Sequence, residues 1–181
     1  VDAHTRKGYN TDGAGFLLML RNSGVDTAGK SFLVLGCGGV GRSVIKKLLD
    51  AGAQVFAFDL NKESLQKVHA EFPGFIPLER VEAKPYDVVV NCTGVGMHRT
   101  EGVSPVGADV LSLCSAAVDL IYVPAKSEFL RIAESCGKKI VNGEAMLFYQ
   151  AYFSDCIYLG AEPSDEEAGR LFAKYKEKYK E

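Results

Sequence analysis

The sequence predicts an α/β fold built on a doubly wound, parallel sheet of about six strands with helices on both faces. Short apolar runs alternate along the 181 residues with longer segments in which apolar residues recur at helical spacing. The runs at residues 31–35 (SFLVL) and 87–91 (DVVVN) are almost continuously apolar, as is typical of strands buried on both faces of a parallel sheet. A glycine-rich turn follows the first run and opens a helix. Strands that alternate with helices in this way are connected as βαβ units, which makes neighbouring strands parallel.

The predicted elements continue this alternation along the chain. Strands are expected at residues 31–35, 54–58, 75–77, 87–91, 116–121 and 139–141. Helices are expected at residues 12–23, 39–51, 62–71, 126–136, 144–159 and 165–178. Ser164 and Glu167 have the spacing of a capping box, which supports the start of the last helix. No linker or repeat divides the chain, so residues 1–181 are expected to form one domain.

Composition and charge exclude several classes of function. The chain has 21 Lys and Arg against 23 Asp and Glu, a formal net charge of −2, so no basic surplus indicates nucleic acid binding. No run of about 18 apolar residues is present, so no membrane span is expected. The five cysteines contain no CxxC pair and the histidines show no ligand spacing, so no metal site is expected. Scattered thiols are typical of small buried residues in a reducing compartment, which predicts a cytoplasmic location.

A G-x-G-x-x-G motif, GCGGVG at residues 36–41, joins the first strand to the following helix. In this context the motif predicts a Rossmann-type site for the pyrophosphate of a nicotinamide dinucleotide. Gly36 would allow the tight turn, Gly38 would let the backbone approach the pyrophosphate, and Gly41 would let the helix pack closely on the strand. Free N–H groups and the helix dipole favour an anion there. The alternative is an ordinary glycine-rich turn. The candidate pyrophosphate-binding residues are Gly36, Gly38, Gly39, Val40 and Gly41.

The end of the second strand carries the signal for the type of dinucleotide. Asp59 lies 23 residues after Gly36, where a carboxylate would accept hydrogen bonds from the adenosine ribose hydroxyls and repel a 2′-phosphate. Leu60 and Asn61 offer no guanidinium for that phosphate. The sequence therefore favours NAD over NADP, although Lys62 leaves NADP possible. The alternative is that Asp59 caps the next helix, a role that Asn61 could equally fill.

Three further segments extend a recognisable pattern over nearly the whole chain. They read GYNTDGAG at residues 8–15, NCTGVGM at 91–97, and a longer third segment with DLIYVP at 119–124, SEFL at 127–130 and NGEAMLFYQA at 142–151. In order and spacing, these segments resemble the shikimate/quinate dehydrogenases, specifically their C-terminal cofactor domain with its flanking segments. Asp59 followed by Leu60 departs from the arginine of that family's NADP-type members and is similar to its NAD-preferring members.

This resemblance implies an activity and a set of roles. The activity is reversible NAD(P)-dependent oxidation of a ring hydroxyl of shikimate or quinate to a ketone, with the hydride carried by the cofactor. Asp12 would bind that hydroxyl and belong to the acid–base pair that moves its proton. The implied substrate-binding residues are Thr11, Asp12, Tyr122 and Gln150. The implied residues on the nicotinamide side are Thr93, Met97, Gly143 and Met146. Leu60 and Gly94 are further candidate cofactor-binding residues.

Each of these residues also has a simpler structural explanation. Thr11 or Asp12 could cap the first helix, since short polar residues are favoured at that position. Residues 91–96 could form only a turn at the end of a strand, where Asn and Gly are common. Met97 and Met146 could be packed in the core, and Tyr122 could close the end of a strand. Gln150 could face water from its helix.

The resemblance also implies a second domain. In the family, an N-terminal substrate domain supplies two elements: the catalytic lysine and the segment that binds the substrate carboxylate. No lysine of this sequence matches the position of the catalytic lysine. We therefore expect residues 1–24 and 144–181 to form hinge or interface helices toward such a domain, of roughly a hundred residues. The chain alone is expected to bind dinucleotide and to turn over substrate poorly, because acid–base catalysis contributes about 10²–10⁴-fold.

Two other functions are compatible with this fold. One is a non-catalytic NAD-binding sensor or regulatory module, and the other is a different dehydrogenase that shares the cofactor domain. Asp12, Tyr122 and Gln150 favour the shikimate/quinate-type enzyme, because a nucleotide sensor does not need residues on the substrate side.

Overall fold

A computed structural model of the chain describes residues 7–179, and these form one parallel sheet covered by helices on both faces. The six strands lie in the order β3-β2-β1-β4-β5-β6, and every neighbouring pair is parallel. The chain runs outward from the central strand β1 to one edge and then returns to build the other half. This topology confirms the predicted doubly wound α/β fold.

The strands and helices have the following bounds. The strands are β1 (Ser31–Leu35), β2 (Gln54–Phe58), β3 (Ile76–Pro77), β4 (Val88–Asn91), β5 (Ala116–Asp119) and β6 (Lys139–Val141). The α-helices of the described part of the chain are α1 (Asp12–Asn22), α2 (Gly39–Asp50), α3 (Lys62–Glu71), α4 (Ala108–Leu111), α5 (Glu128–Ser135), α6 (Glu144–Leu159) and α7 (Asp165–Lys178). A 3-10 turn covers His98–Thr100.

The central strands are apolar throughout because each face of the sheet covers its own core. In β1, Phe32 and Val34 pack into the core shared with α1, α2 and α6, whereas Leu33 and Leu35 pack into the core on the opposite face, with α4 and α5. The same alternation continues in β4 and β5. Side chains of a strand alternate between its two faces, so a strand buried on both sides must be apolar at every position.

Several predictions differ from the structure in detail. The predicted elements leave residues 92–115 without a helix, but this segment contains the 3-10 turn and the short helix α4, which are too brief to show a periodic pattern. The strand predicted at 116–121 ends at Asp119, where the chain turns. The helix predicted at 126–136 begins only after Ser127, whose hydroxyl accepts the Leu130 N–H as an N-cap. The predicted cap of α7 is present, since Ser164 Oγ accepts the Glu167 N–H at 3.3 Å.

The cysteines follow the expectation only in part. Cys37, Cys114 and Cys156 are buried, whereas Cys92 and Cys136 are half-buried. Among residues 7–179, no group of three His, Cys, Asp or Glu side chains is arranged to hold a metal ion. The helices of this same range also include none with the length and apolar character needed to cross a bilayer.

Helices α1 and α6 cross at very close range, and this crossing positions the first turn of α1. A Cβ added at Gly15 would lie 2.8 Å from Gln150 N and 3.0 Å from Met146 O. Only glycine lets the two backbones approach so closely. The start of α1, with Thr11 and Asp12, is thereby held against the first half of α6.

Candidate functional site

The candidate site lies at the carboxyl edge of the sheet, where β1 and β4 are neighbours. The chain leaves these two strands in opposite directions, so their following loops separate and open a crevice. Residues 36–41 follow β1, Asp59 follows β2, and residues 92–97 follow β4. Elements that are distant in the sequence therefore contribute side chains to one edge.

The glycine loop between β1 and α2 has the close contacts that its motif predicts. Gly36 has φ +95°, a conformation that favours glycine. A Cβ at Gly41 would overlap the Gly36 carbonyl oxygen and lie 2.9 Å from its carbonyl carbon, so α2 can begin here only if residue 41 is glycine. A Cβ at Gly38 would meet no atom within 4 Å. The N-terminus of α2 is thus open and has no side-chain cap, as an anion site requires.

A cavity of about 450 Å³ opens on one side of the glycine loop. Its lining residues are Leu35, Gly36, Gly38, Phe58, Asp59, Leu60, Cys92, Thr93, Gly94, Val95 and Pro105. The walls are mainly apolar, and the carboxylate of Asp59 is the acidic group among these residues. Its volume and composition are typical of a small-molecule site.

Asp59 is tied to the glycine loop. One of its carboxylate oxygens accepts the Cys37 N–H at 2.6 Å, and the other accepts the Asn61 N–H at 2.7 Å. Asn61, and not Asp59, caps α3, since its side chain accepts the N–H groups of Glu63 and Ser64. The capping alternative for Asp59 is therefore wrong, and its carboxylate remains at the rim of the first cavity.

In the structure, the residues that follow Asp59 present no unpartnered positive charge to the 2′-phosphate of an NADP molecule. Leu60 is 87% exposed. The Lys62 ammonium donates a hydrogen bond to the backbone oxygen of Glu79 at 2.8 Å and lies over the ring of Phe58. The ammonium is therefore already partnered.

The two thiols beside the glycine loop are kept neutral. Burial and the nearby Asp59 carboxylate raise the pKa of Cys37 to about 12. Burial, together with Cys37 and Asp119, raises the pKa of Cys92 well above its ordinary value. Thiolates are therefore disfavoured at this edge, and neither cysteine is suited to act as a nucleophile.

A second cavity of about 230 Å³ lies on the other side of the glycine loop. Its lining residues are Asp12, Val40, Leu120, Tyr122, Gly143, Met146, Leu147 and Gln150. It brings together α1, the glycine loop, the end of β5 and α6. Gly143 makes this possible, because a Cβ there would overlap the Leu120 carbonyl oxygen and lie 3.0 Å from Leu120 Cα.

Thr11 faces α6 and does not cap α1 with its side chain. Its hydroxyl lies 3.0 Å from Ser154 Oγ and donates to Gln150 Oε1 at 3.5 Å. The Gln150 amide also donates to Leu147 O at 3.1 Å. These contacts hold the half-buried Gln150 side chain beside Asp12.

The two cavities collect most of the residues that the sequence indicated. Four of the indicated residues line neither cavity: Thr11, Gly39, Gly41 and Met97. Met97 is 37% exposed on the loop after β4. Met146 lines the second cavity but is also part of the core. The lining residues that were not predicted are Leu35, Phe58, Cys92, Val95, Pro105, Leu120 and Leu147. Most of them are apolar, and an apolar residue that lines a cavity has the same sequence signature as one in the core.

A buried polar cluster lies beneath the loop after β4. Asn91 and Asp119 are paired in register at the ends of β4 and β5 and are both fully buried. Asp119 accepts hydrogen bonds from Asn91 Nδ2, Ile121 N and Ser127 Oγ. Burial nevertheless raises the pKa of Asp119 to about 6, because the cost of removing its charge from water exceeds the gain from these hydrogen bonds.

This shift predicts an unusual dependence of stability on pH. The folded pKa of Asp119 lies above the ordinary value of 3.8, so its contribution to stability is complete below pH 3.8 and is lost as the pH rises through about 6. Relative to the variant Asp119→Asn, which does not titrate, the wild type should lose about 3 kcal/mol of unfolding free energy across this window. Urea unfolding at several pH values measures the difference.

Asp87 provides a control of opposite sign. Its pKa is lowered, chiefly by hydrogen bonds from Ser31, so it stabilises the fold above its unfolded pKa and loses this effect on acidification. Asp87→Asn should therefore differ from the wild type at neutral pH and converge with it in acid. A difference between wild type and Asp119→Asn that stays constant with pH would contradict the raised pKa of Asp119.

Comparisons with known proteins agree with this geometry, although no family model matches the chain. The shikimate dehydrogenase (NADP(+)) of Carboxydothermus hydrogenoformans is 33% identical over 166 residues, which cover 86% of this chain and 59% of that protein. A chorismate mutase/shikimate 5-dehydrogenase fusion protein from Clostridium acetobutylicum superposes with a TM-score of 0.83 at 36% identity, covering 96% of this chain and 64% of the other.

A third relative was solved with its ligands. Shikimate 5-dehydrogenase from Thermus thermophilus, in complex with NADP(H) and shikimate, superposes with a TM-score of 0.77 at 34% identity, over 91% of this chain and 63% of that one. The chain spans about three fifths of the length of the curated relatives it matches. The chain is therefore homologous to the shikimate dehydrogenases over most of its own length.

Proposed function

We propose that this chain is the cofactor-binding part of an oxidoreductase that transfers a hydride between NAD(P) and shikimate or quinate, or the corresponding 3-dehydro ketones. The observation that carries the proposal is the position of the glycine loop between two cavities, one with Asp59 and the other with Asp12 and Gln150. A nicotinamide dinucleotide has the same division, with an adenosine half and a nicotinamide half joined by pyrophosphate. Homology to shikimate dehydrogenases supports the same reaction.

The residues present fit such a cofactor. The open N-terminus of α2, from Gly38 onward, would hold the pyrophosphate through N–H groups that lack partners in the helix. Asp59 would accept hydrogen bonds from the ribose hydroxyls. Thr93 and Gly94 line this first cavity and not the second one, so they would contact the adenosine half. For Thr93, this differs from the nicotinamide side that the family resemblance implies. Val40, Gly143 and Met146 would form the apolar wall for the nicotinamide. When bound, the nicotinamide supplies or accepts the hydride.

The side chains at the rim of the second cavity would act on the substrate. Asp12 would accept the proton of the reacting hydroxyl and return it in the reverse direction. Gln150, which Thr11 holds in place, and Tyr122 would orient the ring. A purely nucleotide-sensing module has no use for these three groups beside the nicotinamide wall, so their convergence favours an enzyme.

We propose further that a second domain completes the active site. Residues 1–24 and 144–181 would provide the interface, of which residues 1–6 and 180–181 lie outside the described part of the chain. The greater length of the relatives supports this arrangement. That domain would supply the catalytic lysine, so the chain by itself would bind dinucleotide and turn over substrate poorly.

The protein expressed from its complete gene should oxidise shikimate or quinate in the presence of NAD or NADP. The 181-residue chain should bind NADH with a measurable Kd but show much slower turnover, since acid–base catalysis contributes about 10²–10⁴-fold. Absorbance of the reduced cofactor measures the reaction, and calorimetry measures binding. Tight NADH binding without oxidation of either acid by the complete protein would instead indicate a sensor module.

The proposed cofactor preference is NAD, although relatives are named for NADP(+). The carboxylate of Asp59 would repel a 2′-phosphate at the rim of the first cavity. Leu60 carries no charge, and the Lys62 ammonium is already bound to Glu79. A bound 2′-phosphate would therefore need Lys62 to leave its present partner.

The wild-type chain should bind NADH about tenfold more tightly than NADPH, which corresponds to about 1.4 kcal/mol. Asp59→Asn removes the charge and keeps one oxygen for the Cys37 N–H, so it should narrow this ratio while the glycine loop keeps that contact, although the hydrogen bond from the Asn61 N–H is lost. Leu60→Ala is the matched control and should leave the ratio unchanged. Calorimetric titration with both cofactors decides the matter, and NADPH binding as tightly as NADH in the wild type would overturn the preference.

A further inference from the structure

The buried polar cluster of Asn91, Asp119 and Ser127 touches neither cavity, yet it holds the segments that line both of them. These three are the buried polar residues among residues 7–179. Burying a carboxylate is costly, and an apolar group of similar size is often no less stable at such a position. What these residues do contribute is hydrogen bonds to the backbone of the segments around both cavities.

Asn91 fixes the loop that forms one wall of the first cavity. Its side-chain oxygen accepts the Thr93 N–H at 3.0 Å and the Thr93 hydroxyl at 2.6 Å. Its amide donates to Val95 O at 3.1 Å and to Asp119 at 3.0 Å. The Thr93 hydroxyl in turn accepts the Val95 N–H at 3.1 Å. One buried amide thus determines the path of residues 93–95.

Asp119 connects this loop to the second cavity. The oxygen that accepts the Asn91 amide also accepts the Ile121 N–H at 3.0 Å, which turns the chain at the end of β5 toward Tyr122. Its other oxygen accepts the Ser127 hydroxyl, and Ser127 caps α5. The carboxylate therefore links the loop after β4, the turn after β5 and the start of α5.

We propose that Asn91 and Asp119 are positioning residues, which set the dinucleotide affinity by holding residues 93–95 and 120–122 in the conformations that face the two cavities. The inference rests on the dinucleotide-binding function proposed above. Preorganised backbone lowers the cost of ordering a site on binding, so loss of the cluster should weaken binding without removing any atom that touches the cofactor.

Two substitutions separate positioning from charge. Asn91→Ala should raise the Kd for NADH about tenfold, because residues 93–95 lose their shared anchor. Asp119→Ala should have an effect of similar size. Asp119→Asn should bind nearly as the wild type does, since its oxygen can still accept from Asn91 and Ile121 while its amide donates to Ser127. Calorimetry on the 181-residue chain gives each Kd, and amide hydrogen exchange at Thr93 and Val95 should quicken in Asn91→Ala.

The opposite edge of the same strands offers a matched control. Asp87 accepts the N–H and the hydroxyl of Ser31 at 2.9 and 2.8 Å, so it also links β1 to β4, but far from the cavities. Asp87→Asn should lower the unfolding free energy at neutral pH and leave the Kd unchanged. If Asn91→Ala does not fold, Ser127→Ala removes one support of Asp119 and should raise the Kd about threefold.

The outcomes are distinguishable. If the wild type binds neither NADH nor NADPH, the proposed function is wrong and this inference falls with it. If the wild type binds and the folded Asn91 or Ser127 variant binds equally well, the positioning role alone is overturned. Equal weakening by Asp87→Asn would also overturn it, because the effect would then follow from general stability.

Discussion

Replacing Gly41 by alanine is expected to weaken dinucleotide binding strongly and to destabilise the fold. The new Cβ would overlap the Gly36 carbonyl oxygen, so either β1 or the first turn of α2 must move. Such overpacking typically costs about 1–3 kcal/mol. The displaced turn would also misdirect the N–H groups at the start of α2, and we expect the Kd for NADH to rise at least about 100-fold. Urea unfolding and calorimetric titration measure the two effects.

Gly38→Ala separates the binding site from the stability of the loop. A Cβ at this position meets no atom within 4 Å, and φ −70° with ψ −167° is allowed for alanine. The unfolding free energy should therefore change by less than about 0.5 kcal/mol. The methyl group would, however, occupy the approach to the N-terminus of α2 and weaken binding. Normal NADH affinity in Gly41→Ala would show that the loop does not hold the pyrophosphate.

Asp12→Ala in the complete protein should lower kcat for shikimate or quinate by about 10²–10⁴-fold. Asp12 lines the second cavity beside Gln150, at the start of a helix that is held against α6 by the contact of Gly15. Removal of the carboxylate would take away the acceptor of the hydroxyl proton but leave the glycine loop intact. The Kd for NADH should therefore stay within about twofold of the wild type.

Steady-state rates with both acids, combined with cofactor titration, test this separation of turnover from binding. Asp155→Asn is the matched control, since Asp155 is an exposed carboxylate on α6 and lines neither cavity. It should leave kcat and the Kd for NADH unchanged. Unchanged kcat in Asp12→Ala would remove Asp12 from the acid–base role.

Much of the fold could be predicted from local sequence. β1 and β2 match their predicted bounds, because an apolar run of five residues between turns is too short for a stable helix and is typical of a buried strand. The glycine loop was also predictable, because the spacing of Gly36 and Gly41 indicates a dinucleotide site when it joins a strand to a helix, and both of these elements could be recognised from the sequence. Helix α4 was missed because one turn of helix is stabilised by the core it covers and not by its own periodicity.

The candidate site was predictable only where it is built from local motifs. The sequence indicated Asp59 as an acidic group at a strand end, and it left capping open for both Asp59 and Thr11. Tertiary contacts decided these cases. Cys37 N–H lies against Asp59, so the carboxylate stays at the cavity, and Ser154 lies against Thr11, so its hydroxyl faces α6.

The sequence by itself determined the parallel sheet, the glycine loop and the residues that follow each strand, because these depend on spacing along the chain. Only the tertiary structure decided that the loop separates two cavities and that Asn91 meets Asp119 beneath them. The physical reason is that β4 and β5 pair in register, which brings together two polar side chains that are 28 residues apart. The pattern of either strand alone contains no information about this partner.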